Sequence, residues 1–137
     1  MITNVPLMVV PLIVYNLVLL GLIGTNVQSP WDDPIFLLDM ISGATWVMTL
    51  GDLMIVLGLI LLFFEILKAT RVGSNSIIDH LLSTFIFVAF LVEFLIVEGA
   101  ATAVFFILMM MTLIDVLAGF SVSIRSATRD VSLGGGL

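Results

Sequence analysis

The sequence predicts an all-α integral membrane protein with four transmembrane helices and both termini cytoplasmic. Three observations predict it. Apolar residues make up 61% of the chain and charged residues 10%, against about 45–50% and about 25% in soluble domains. Four apolar windows follow one another, each near the roughly 20 residues that cross a bilayer. All four basic residues fall where one orientation explains them.

Span one is expected over about 5–24, VPLMVVPLIVYNLVLLGLIG. Pro6 and Pro11 should loosen its first turns. Its N-terminal flank lacks the basic region of a secretory signal, so the segment is read as retained. Span two is expected over about 47–67 and is possibly extended at its outer end. Pro34 can start a helix and Asp32 or Asp33 can cap it. IFLLDMISGATW then leads into the span with no breaker stronger than Gly43, either as one long tilted helix or as a segment lying along the interface. Trp31 and Trp46 suit an interface in both cases.

Spans three and four are expected over about 77–97 and 100–122. A short turn at Glu98 and Gly99 separates them. Residues 1–124 form the transmembrane domain and 125–137 a cytoplasmic tail. Lys68 and Arg71 follow span two, and Arg125 and Arg129 follow span four. Basic short loops stay cytoplasmic, which places these residues inside and Asp32, Asp33 and Glu98 outside. A bacterial inner membrane is the expected location.

Composition excludes several classes of function. Without cysteine there is no disulfide, thiolate catalysis or iron–sulfur cluster. A single histidine, His80, rules out a bis-histidine haem within one chain. Basic residues are few and scattered, which argues against nucleic-acid partners. Neither a Walker loop nor a metalloprotease or dinucleotide motif is present, so no enzyme activity, metal or cofactor is expected beyond bound lipid.

The intramembrane acids are the candidate sites. Asp52 lies five residues inside the outer end of span two, Glu93 four residues inside that of span three, and Asp115 fifteen residues along span four. An acid at mid-helix costs about 2.5–3.5 kcal/mol on insertion scales. No basic residue lies inside any span to pair with these three. Each must hold a proton and a hydrogen bond, a cation, or a partner subunit's basic group.

At about 100° per residue, Ser42, Thr45, Thr49 and Asp52 share one face of an extended span-two helix. Gly51, Gly58 and Glu65 share another. Leu108, Thr112, Asp115, Gly119 and Ser123 form one stripe of span four. Small and hydroxylated residues mark helix contacts in membranes, so Gly51, Gly58, Thr112 and Gly119 are expected in packing seams. Glu93 has no polar companion one turn away, which points to a partner on another helix or another chain.

The remaining polar residues have plainer roles. Glu65 and Lys68 are spaced for an interfacial ion pair, Asp79 for the start of a helix, His80 for the interface, and Glu98 for a solvated turn. Met109, Met110 and Met111 are read as adaptable packing.

Two functions from different classes fit. The first is a structural or accessory subunit of a homo-oligomer or larger membrane complex, bound through its helix seams. The second is an oligomeric proton or cation channel or transporter using Asp52, Glu93 and Asp115. A lipid or quinone binder using the stripe Phe87, Phe90 and Phe94 is a minor third.

Overall fold

The computed structural model describes residues 5–24, 28–71 and 76–134; the ends of the chain and the inner parts of two expected links lie outside them. The described chain is mostly helical, with one small antiparallel sheet. Helix α1 spans Val9–Leu19, α2 Leu50–Ala69, α3 Ser76–Ile96 and α4 Ala103–Gly134. Strands β1, Pro34–Asp39, and β2, Thr45–Thr49, precede α2. Short 3-10 turns at Pro30–Asp32 and Glu98–Ala100 complete the order.

Three helices are long and apolar enough to cross a membrane: Leu50–Ala69, Ile77–Ile96 and the Ala103–Arg129 part of α4. The apolar α1 has only 11 residues, about 16 Å of helix. The expected span over 5–24 is therefore shorter as a helix, and Gly21 is the reason. Gly21 has φ of 73°, a left-handed conformation open to glycine at little cost. Its N–H bonds the Val18 carbonyl, and that of Leu22 bonds the Leu17 carbonyl. This pair of bonds is the Schellman stop. At the other end Pro11 sits in the first turn of α1, where its missing N–H removes no helical bond.

The expected extension of span two is corrected: residues 34–49 form a β-hairpin, so the chain is not all-α. β1 pairs with β2 from Asp39↔Thr45 to Pro34↔Thr49. The loop Ile41-Ser42-Gly43 turns on Gly43, at φ of 85°. Gly43 N–H bonds the Met40 carbonyl, and Met40 N–H bonds the Ala44 carbonyl. A type I turn closed by a left-handed glycine is a standard hairpin loop. Thr45, Val47 and Thr49 then favour strand over helix.

β2 runs into α2 without a loop. Thr49 is the N-cap: its hydroxyl accepts from the Asp52 N–H at 3.2 Å, while the Asp52 carboxylate accepts from the Thr49 N–H at 3.0 Å. That reciprocal pair is a capping box. Leu50 N–H also bonds the Asp33 carbonyl, tying the root of the hairpin to the helix.

The helices run alternately between two ends. One end holds the hairpin, the C-termini of α1 and α3 and the start of α4. The other holds Lys68 and the starts of α1 and α3. Helix α4 is the packing centre, against α2 on one side and α3 on the other. Phe90, Phe105 and Leu108 are fully buried, with Met8 and Tyr15 from the α1 segment. Outward side chains remain apolar, among them Leu59, Phe63, Phe85, Leu95 and Leu117. Helix α4 also continues well past the expected end of span four, through Arg125 and Arg129 to Gly134, while residues 135–137 of the expected tail lie outside the described chain.

Candidate functional site

Polar side chains gather in two clusters, one toward each end of the bundle. At the Lys68 end, Glu65 is 3% exposed. Its Oε1 pairs with Lys68 Nζ at 2.9 Å, and its Oε2 accepts from the Leu7 backbone N–H at 2.9 Å. Lys68 Nζ also donates to the Val5 carbonyl at 3.1 Å. The acid–base pair spaced for the interface therefore straps α2 to the chain entering α1.

Asp115 of α4 is buried, with the Ser83 hydroxyl of α3, Glu65 and Lys68 all close enough to act on its carboxyl. The cluster thus draws on the α1 segment and on α2, α3 and α4. It contains two buried carboxyls and one ammonium.

One turn nearer the start of α3, His80 Nε2 meets Ser123 Oγ of α4. The imidazole stacks on Phe120 and lies over Gly119, where a Cβ would stand 2.5 Å from Nδ1. Ser123 lies within α4, where backbone N–H groups are used by the helix and cannot form an oxyanion hole. The His80–Ser123 contact joins two helices. Asp79 lies in the first turn of α3 and keeps one buried oxygen without a partner.

At the hairpin end, the Tyr15 hydroxyl donates to the Gly99 carbonyl at 2.9 Å and lies 2.6 Å from Thr102 Oγ1. Thr102 in turn accepts from the Phe105 N–H at the start of α4. The Tyr15 ring stacks on Trp31, which is buried here and does not face an interface, whereas Trp46 on β2 is exposed. Asn16 Nδ2 donates to the Leu12 carbonyl and to Glu93 Oε2 at 3.1 Å. Glu93 Oε1 is buried without a partner.

The three leading acids therefore separate. Asp52 is exposed and engaged in the Thr49 cap. The hydroxyl face expected beside it does not exist as a helix face, because Ser42 and Thr45 belong to the hairpin. Glu93 finds its companion on α1. Asp115 meets Ser83 and the Glu65–Lys68 pair. Glu98 is exposed in its turn.

In the seams, a Cβ on Gly51 would stand 2.8 Å from Val104, and one on Gly58 would stand 2.7 Å from Leu108. Thr112 is buried, and its hydroxyl bonds the Met109 carbonyl of its own helix. Phe90 is buried and Phe94 stacks on Phe105.

Sequence reasoning missed Tyr15, Asn16, Ser83 and Thr102. Tyr15-Asn16 was the visible signal, the one polar pair in the middle of span one. Between the clusters, thirteen residues separate Thr102, just before α4, from Asp115, about 20 Å at the helical rise. Phe90, Phe105, Leu108 and Met111 fill that interval. Among the described residues no group of three or more metal-ligating side chains gathers. Comparison with family models, curated proteins and solved structures gives no match for this chain.

Proposed function

We propose that the chain is a four-span integral membrane protein acting as a structural or accessory component of a homo-oligomer or larger membrane complex, and that the hairpin is its docking element. The carrying observation is the hairpin's surface. Ile35, Phe36, Leu37, Leu38, Ile41 and Trp46 are all exposed. Among the described residues the sheet has two strands, so each strand keeps one edge without a backbone partner.

Such a hairpin suits neither solvent. Open strand edges are not tolerated in hydrocarbon, and side chains this apolar are poorly matched to water. A lone two-stranded hairpin is marginal in stability. A partner protein that adds a strand and an apolar surface meets both demands.

Four crossings are supported by the α1 segment, whose start is bonded at the Lys68 end and whose far end is bonded at Gly99. Lys68 lies in the last turn of α2 and Arg71 follows it, and Arg125 and Arg129 lie beyond the middle of α4, toward the same end. By the positive-inside rule that end is cytoplasmic, with both termini, and a bacterial inner membrane is the setting we propose. The hairpin then faces outward.

The test is purification of tagged protein in mild detergent. Assembly above monomer mass, or stoichiometric recovery with another membrane protein, is expected. The double substitution Phe36→Lys, Leu38→Lys should release a folded monomer. Recovery of the unsubstituted protein as a lone monomer overturns the proposal.

A second reading, a proton or cation carrier, draws on the surplus of carboxyls over ammonium at Glu65, Asp115 and Lys68. It must also cross the apolar interval between the two clusters. Flux in proteoliposomes that drops in Asp115→Asn and Glu93→Gln would favour it, and unchanged flux would remove these acids from any such mechanism.

A further inference from the structure

Glu93 lines a groove of about 500 Å³ on the flank of the bundle, with Asn16 beside it and Phe85, Val88, Val92 and Ile96 along one face of α3. Three features describe what fits there. The first is chemical: Glu93 Oε2 is bonded to Asn16, while Oε1 is buried and has no donor. The second is electrostatic. All four basic residues of the chain lie elsewhere, Lys68 and Arg71 at the far end of α2 and Arg125 and Arg129 in the last third of α4. A carboxyl with no cation beside it and one oxygen without a donor calls for a ligand that brings both.

The third feature is position. Glu93 lies three residues before the last residue of α3, Ile96, about 5 Å from the helix end, which is just beneath the head groups for a helix that crosses a bilayer. From Glu93 the groove follows α3 back to Phe85, about 12 Å of apolar helix face running toward the membrane centre. Phe85 and Val88 are exposed along it.

We infer that this groove binds a phospholipid with a primary ammonium head group, of the ethanolamine type, its ammonium at Glu93 and one acyl chain along α3. A quaternary choline head carries charge but no N–H to donate. An anionic glycerol head brings repulsion. A quinone offers carbonyl acceptors to a site that already has an unused acceptor.

The experiment is native mass spectrometry of detergent-purified, delipidated protein incubated with equal amounts of phosphatidylethanolamine, phosphatidylcholine and phosphatidylglycerol. The ethanolamine lipid should be retained about fivefold over the other two, the scale of one partly solvated ion pair. Glu93→Gln should abolish that preference. Val88→Trp, at an exposed groove position, should lower retention while leaving Glu93 in place. Equal retention of the three lipids, or a preference that survives Glu93→Gln, overturns the inference. So does a disulfide between two copies of a Val92→Cys variant, clean in a chain without cysteine, if it forms in full without loss of any lipid. None of these outcomes depends on the hairpin or its partner.

Discussion

The two polar clusters contain the same kind of group, a carboxyl in an apolar bundle, and satisfy it differently. Glu65 has both oxygens engaged, one by an ammonium and one by a backbone N–H. Glu93 has one oxygen engaged, by a neutral amide. The first arrangement is closed and draws on all four helical segments. The second opens onto a groove. Whether an intramembrane acid serves as a structural lock or as a contact thus depends on how many of its lone pairs the chain itself fills, because each unfilled one is costly in hydrocarbon.

The largest effect should come from breaking the closed cluster. Lys68→Met leaves Glu65 and Asp115 buried together with no cation. Removing one partner of a buried pair costs about 3–5 kcal/mol, so a sharp fall in thermal stability in detergent, or loss of folded protein, is expected. Retained stability would mean that the pair is not what holds α1 to α2.

A middle-sized effect should come from the seam between the clusters. Gly58→Val pushes a side chain into Leu108 and Met111. Overpacking of this kind costs about 1–3 kcal/mol, read as a lowered melting temperature. An unchanged value would mean that α2 and α4 can move apart at little cost.

The smallest effect should come from the open cluster. Glu93→Gln keeps an acceptor for Asn16, so stability should shift by under about 1 kcal/mol. A loss as large as that of Lys68→Met would erase the contrast between the two ends.

The parts of the fold legible in the sequence are those set by local pattern. The three long apolar helices appear within a few residues of their expected starts, and Gly51, Gly58 and Glu65 do lie on one buried face of α2. Two errors came from turn chemistry weighed too lightly. Gly43 is expected to be too weak a breaker to do more than bend a helix or an interfacial segment, although β-branched residues of a strand follow it. The expected span one runs on through Gly21, whose left-handed backbone ends α1. The site contacts were illegible for another reason. Asn16 and Glu93 are 77 residues apart in sequence, and no spacing rule connects different helices.

The junction at Thr49 has a mechanical consequence. Strand β2 enters α2 through a capping box, with Leu50 pinned to Asp33 at the base of β1. No slack segment intervenes. The hairpin and the twenty-residue rod below it, about 30 Å long, therefore act as a single lever. A displacement of the arm is felt along the rod toward its opposite end, where Glu65 is anchored to Lys68 and to the Leu7 backbone.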